Sequence, residues 1–131
     1  MSQELYRVID ANLNRLKEGI RVIEDMARYV HNNKELSTQL KTLRHLAKIE
    51  DIQPLLNSRD AKNDVLRPTM ETEMNRSSIE SIIIANYKRA QESSRVLEEV
   101  YKVVSPGLSE NFKHIRYELY TLEKENLSLS K

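Results

Sequence analysis

The stretch ANLNRLKEGIRVIED, residues 11–25, returns as ANYKRAQESSRVLEE at residues 85–99. A shift of 74 aligns Ala11, Asn12, Arg15, Glu18, Arg21, Val22 and Glu24 with Ala85, Asn86, Arg89, Glu92, Arg95, Val96 and Glu98. Helical periodicity alone repeats apolar positions and gives no reason to repeat an Asn, an Arg and a Glu. A second shift, of 72, aligns Leu36, Ser37, Lys41 and Arg44 with Leu108, Ser109, Lys113 and Arg116. Together the shifts predict a duplicated helical hairpin whose second copy has the shorter turn.

Working outward from the repeat, most of the chain follows three- and four-residue apolar spacing, with only two Gly and three Pro. The first helix is expected over about residues 3–30, with Ile9, Leu13, Leu16, Ile20, Ile23 and Ala27 on one face. A second starts near Leu36 and stops before Pro54, since proline disfavours the helical conformation before it. Ser77 and Glu80 fit a capping box opening a third helix, which ends near SPG at 105–107, and a fourth covers about 108–127. The expected fold is all-α: one domain, 1–131, forming a four-helix bundle from hairpins 3–53 and 77–127. The polar segment NSRDAKNDVLRPTMETEMNR, residues 57–76, joins them.

Lys plus Arg is 21 against 20 for Asp plus Glu, so no global charge draws the chain to nucleic acid or an anionic membrane. Anion binding, if present, has to be local. The absence of cysteine excludes disulfides and Cys-ligated zinc, and fits a reducing cytoplasm. The N-terminus lacks the apolar core of a signal peptide, and no run approaches membrane-spanning length. A cytoplasmic protein is expected.

With Asn12 at zero and ~100° per residue, the main apolar face centres near +50°, while Arg15 falls at about −60° and Glu18 at about −120°. Between these two lie Ala11, Val22 and Tyr29, matched by Ala85, Val96 and Val103, so the charges interrupt a weaker apolar stripe. Two readings fit Arg15, Glu18, Arg89 and Glu92: an intrahelical ladder of weak ion pairs, or a site. For Arg21 and Arg95, which point to the far side, the ladder is the expectation. Asn12 and Asn86 sit mid-helix, where asparagine is a poor residue, and suggest a hydrogen-bonding task. Gly19, matched by Ser93, leaves room for a close helix approach or a ligand. In RDAKNDV, Asp60 and Asp64 are four apart and could hold Mg²⁺ through oxygen ligands, or simply shape a solvated turn. The histidines lack the paired Glu-x-x-His arrangement of a di-iron bundle.

GxxxxGK[ST], GxGxxG after a strand and GxSxG are all absent, so any phosphate handling falls to side chains. The order IDANLNRLKEGIRVIEDMARYV, TLRHLA, RDAKNDV, ANYKRAQESSRVLEEVYK resembles the small hydroxymethylpyrimidine-monophosphate kinase family of thiamin biosynthesis, in a standalone form of a domain often fused to thiamin-phosphate synthase. The likeness covers nearly the whole chain, with Asp64-Val65-Leu66 where the family shows Asp-Val-Gly. It implies transfer of a γ-phosphoryl group from ATP, with Mg²⁺, to the phosphate of the pyrimidine.

On that resemblance Arg15, Arg89, Glu18 and Glu92 are the expected catalytic residues, with arginine gripping phosphates and glutamate orienting arginine or binding metal. Asn12, Asn86, Arg44 and Arg59 are expected to bind substrate, and Asp60 and Asp64 to hold metal. Partners are small molecules, with a homodimer compatible; nucleic acid and membrane are not expected. Residues 57–76 are expected to act as a lid, because a long segment without its own element in a compact domain is usually functional or disordered. The competing reading is a non-catalytic helical module that binds a partner or dimerises through the weaker stripe. An all-helical nucleotide pyrophosphatase fits less well, since it needs clustered acidic motifs and the repeated positions here are as much basic as acidic.

Overall fold

The computed structural model describes residues 2–67 and 77–129. Among them there is no strand: the order is α1 (Gln3–Asp25), a π-helical turn (Met26–Val30), α2 (Lys34–Leu46), α3 (Gln53–Ser58), α4 (Ile79–Tyr101) and α5 (Pro106–Leu129). The fold is all-α, as expected. α1 and α4 form the most extensive contact, α2 packs on α1, α5 packs on α4, and a smaller α2–α5 contact closes the bundle.

The apolar face read for α1 is the core. Ile9, Leu13, Leu16, Ile20, Ile23 and Ala27 are all buried, and Ile83, Tyr87, Ala90 and Leu97 answer them from α4. Gly19 sits at the α1–α4 crossing, where a Cβ would lie 3.1 Å from the Asn86 carbonyl oxygen and 3.4 Å from Ala90 Cβ. The glycine therefore serves close helix approach. The weaker stripe is not a second buried face: Tyr29 and Val103 are 64% and 83% exposed.

Helix boundaries differ from expectation where caps decide them. α1 gives way to the π-turn at Met26, and Asn32, at φ 51°, turns the chain into α2. Asparagine tolerates that left-handed conformation. Asn33 then caps α2, its side chain accepting from Leu36 N at 3.0 Å. α2 stops at Leu46, well before Pro54, and Pro54 lies instead in the first turn of α3, where its missing N–H would be unpaired anyway. The capping box is Ser78 with Ser81 rather than Ser77 with Glu80: each side chain accepts from the other's backbone N–H, at 3.1 and 3.0 Å.

The halves share an internal brace. Arg44 Nε and Nη2 donate to Glu24 at 2.7 and 3.3 Å, and Arg116 Nε and Nη2 donate to Glu98 Oε2 at 3.2 and 3.0 Å. These are equivalent residues of the two copies, so the repeated Glu and Arg tie each long helix to its returning helix. No ion pair among the described residues joins one half to the other. Among the described residues, a side-chain hydrogen bond that does cross runs from Asn111 Nδ2 to Leu46 O, at 3.2 Å. Among the described residues no helix is long and apolar enough to cross a membrane.

Candidate functional site

Two adjoining cavities flank the α1–α4 seam. The α1-side cavity, of about 700 Å³, is bounded by Asn12, Arg15 and Glu18 and by Arg59, Asp60 and Asp64 of the loop after α3. The α4-side cavity, of about 930 Å³, is bounded by Asn86, Arg89, Glu92 and Ser93 together with Arg67. Asn12, Arg15, Ala61 and Asp64 border both, so the two open onto one cleft. Each has the size of a small-molecule site. Another cavity, of about 890 Å³, is lined by Tyr6, Ile49, Leu55, Tyr101 and Leu108 among others; it has no arginine and none of the repeated polar residues.

The ion-pair ladder forms only where it was expected. Arg21 pairs with Asp25 at 3.4 Å, and Arg95 with Glu98 and Glu99 at 3.3 and 3.0 Å. The side chains of Arg15, Glu18, Arg89 and Glu92 have no ion-pair or hydrogen-bond partner among the described residues, and all four lie at the cleft. Two arginines from equivalent turns of neighbouring helices thus present uncommitted guanidinium groups to one cavity. Asn12 and Asn86 are matched as well: each Nδ2 donates to the carbonyl four residues back, Val8 O at 2.9 Å and Ile82 O at 2.8 Å. That bond uses the donor end and fixes the rotamer, leaving Oδ1 as an acceptor towards the cleft.

The loop is fastened on the α1 side. Arg59 Nε and Nη2 make a bidentate pair with Asp10, at 2.8 and 2.7 Å, and Asp10 is buried. Hydrogen bonding to Asp10, reinforced by its charge, raises the Arg59 pKa. The counterpart of Asp10 in the second copy is Ile84, so this latch exists in one half only. Beyond it Asp60 accepts from the Asn63 side chain at 2.8 and 3.0 Å, which together with the Asn63 backbone bond and the nearby Arg7 charge lowers the Asp60 pKa. Asp64 Oδ1 accepts from Leu66 N at 3.0 Å. Residues 59–67 of the expected lid therefore lie along the cleft, while 68–76 fall outside the described residues.

Arg44, expected to bind substrate, lies outside the cleft. Its fork is committed to Glu24, and the side chains are 19% and 4% exposed. Glu24 hydrogen bonding raises the Arg44 pKa, which makes the residue a brace. Arg59 does border the cleft, but spends two donors on Asp10. Among the described residues no three His, Asp or Glu side chains converge as a metal cage. The cleft is bordered by the carboxylates of Glu18, Asp60, Asp64 and Glu92, oxygen donors of the kind a hard cation takes. Asp10, Arg7, Arg67 and Lys88 were not singled out in the sequence. Asp10 carried one signal, a charged residue where its repeat partner is isoleucine.

Fold and cleft together define a class: an all-α bundle domain in which a hairpin is used twice and the two copies of its long helix frame an arginine-bearing cleft. Within that class the chain belongs to the ThiD2 family, whose model matches residues 7–125. It is 39% identical over 124 residues to the thiamine-phosphate synthase of Nostoc punctiforme, covering 94% of this chain and 35% of that protein. The thiamine-phosphate synthases of Prochlorococcus marinus and Synechocystis are each 37% identical, over 128 and 118 residues, covering 97% and 89% of this chain and 36% and 34% of theirs. The chain spans about a third of the length of these relatives. No solved structure matches it. The similarity ties the chain to proteins of thiamin biosynthesis.

Proposed function

We propose that the chain transfers the γ-phosphoryl group of ATP to the phosphate of hydroxymethylpyrimidine monophosphate, giving the diphosphate and ADP. The observation that carries this reading is the pair of unpartnered arginines, Arg15 and Arg89, at equivalent positions on α1 and α4 and bordering one cleft. An acceptor phosphate oxygen attacks the γ-phosphorus, and the bond from that phosphorus to the β,γ-bridging oxygen breaks. The nucleophile is already ionised near neutral pH, so no base is needed, and the obstacle is repulsion between two anions. Arg15 and Arg89 counter it by holding phosphates in bidentate geometry, which supplies alignment and charge stabilisation together. Asn12 and Asn86 offer fixed acceptors for substrate N–H or O–H groups, and Glu18 and Glu92, which pair with neither arginine, are left free to reach a metal ion. Asp60, Asp64, Glu18 and Glu92 are the carboxylates that would hold Mg²⁺, which would neutralise phosphate charge.

The test is product formation from ATP·Mg²⁺ with the pyrimidine monophosphate and with the free alcohol. The monophosphate alone should react, because the alcohol brings neither the charged handle nor an ionised nucleophile. Arg15→Lys and Arg89→Lys keep the charge but lose the planar fork, and each should cut kcat/KM by about tenfold or more with unchanged circular dichroism. Folded protein that leaves the monophosphate untouched, or consumes the alcohol equally well, refutes the reading.

A further inference from the structure

The repeat makes the cleft nearly symmetric, and its departures from symmetry separate the two cavities by charge. On the α4 side Arg15, Arg67, Lys88 and Arg89 face only Asp64 and Glu92. Lys88 is partly committed, reaching Glu123 at 3.4 Å, but the three arginines have no ion-pair partner among the described residues. On the α1 side Asp10 and Arg59 neutralise each other, at 2.7 Å. What remains there is Arg7 and Arg15 against Glu4, Glu18, Asp60 and Asp64. One cavity is thus a cationic trough and the other is acidic, and Arg15 stands where they meet.

We infer that the α4-side cavity takes the polyphosphate of a nucleoside triphosphate, and that the α1-side cavity takes an amino-bearing heterocycle monophosphate with its phosphate turned towards Arg15. The assignment rests on the phosphotransfer reading above and gives each substrate its place within it. A triphosphate carries about four negative charges at neutral pH, and a cleft in which cations outnumber carboxylates is where such charge is concentrated. Three free arginine forks match its oxygens bidentately. The α1 side would repel a polyphosphate, because four carboxylates outnumber two cations there. It suits a ligand whose ring amine donates to carboxylates and which has a single phosphate to satisfy. With both sites filled, the terminal phosphates converge at Arg15, Asn12 and Asp64, the polar side chains common to the two cavities. The Asp10–Arg59 latch keeps the loop carboxylates on the α1 side, which places the acidic wall where the heterocycle amine needs it.

The probe is inorganic tripolyphosphate, which carries the charge without the nucleoside or the reaction. Titrated into the full chain at low ionic strength, it should bind and perturb the amide resonances of residues 85–96 and 67 more than those of 4–11. Arg89→Ala and Arg67→Ala should each weaken it by about tenfold, while Arg7→Ala should change it by less than about twofold. Circular dichroism monitors folding, and Arg89→Lys, which keeps the charge, should bind better than Arg89→Ala. Perturbation centred on residues 4–11 and 59–64, a dominant effect of Arg7→Ala, or no binding at all overturns the assignment. Product formation is read separately. Tripolyphosphate on α4 without pyrimidine phosphorylation refutes the phosphotransfer reading alone, and phosphorylation with the polyphosphate on the α1 side refutes the assignment alone.

Discussion

Replacing Arg44 by methionine separates a brace from a binding residue. The change keeps much of the aliphatic volume and removes the fork that meets Glu24 at 2.7 and 3.3 Å. Glu24 is 3% exposed and has no other cation within ion-pair distance among the described residues, so its carboxylate is left buried and uncompensated. Breaking one side of such a pair costs about 3–5 kcal/mol. For a domain of this size that corresponds to a fall in Tm on the order of 10–20 °C. The equivalent change in the second half, Arg116→Met, should cost less, because Glu98 keeps Arg95 at 3.3 Å. Replacing both partners, Glu24→Leu with Arg44→Met, should recover most of the loss, since a well-packed apolar pair of similar volume is often neutral or stabilising. Urea unfolding followed by circular dichroism gives all four values, and turnover of the folded double variant should stay within about threefold of the parent. A loss below about 1 kcal/mol for Arg44→Met, or a double variant that is stable but inactive, would refute the brace and return Arg44 to the site.

Other outcomes follow from single contacts. Gly19→Ala gains about 1 kcal/mol of helix propensity but sets a methyl 3.1 Å from the Asn86 carbonyl, at a cost of about 1–3 kcal/mol. A net loss of about 1 kcal/mol is expected in urea unfolding, and a gain would show that the helices part freely. The Ser94 hydroxyl is buried with no hydrogen-bond partner among the described residues, so Ser94→Ala should stabilise by about 1 kcal/mol, and a destabilised variant would reveal a missed partner. Burial raises the pKa of Tyr87, and to a lesser degree that of Tyr101. The unfolded chain then loses these protons first, so their contribution is full below pH ~10 and declines as pH rises towards the folded-state values. Absorbance titration should show two tyrosines ionising late, with a falling urea midpoint over the same range.

Much of this fold can be read from residues 11–25 and their copy, because apolar period and repeated identity agree there. All six positions assigned to the α1 core face are buried. The boundaries resist reading because they depend on which of two adjacent serines turns its hydroxyl inward, and on a proline that serves a helix start as readily as a helix end. The repeated polar residues were legible as a set but not by role. Glu24, Glu98, Arg44 and Arg116 recur to join helices, whereas Arg15, Glu18, Arg89 and Glu92 recur at the cleft, and only tertiary partners tell the two kinds apart. Asp10 escaped notice because its partner is 49 residues away.

That no described ion pair joins the two halves gives the chain an unusual physical status. The halves meet almost wholly through apolar side chains and the close approach at Gly19, as two subunits of a homodimer would. Their union is a bimolecular association made intramolecular by the covalent connection, so an effective concentration replaces the protein concentration. Dilution cannot part them. Added salt, which screens exposed ion pairs but barely touches buried braces or apolar contact, should leave each half and their union nearly intact.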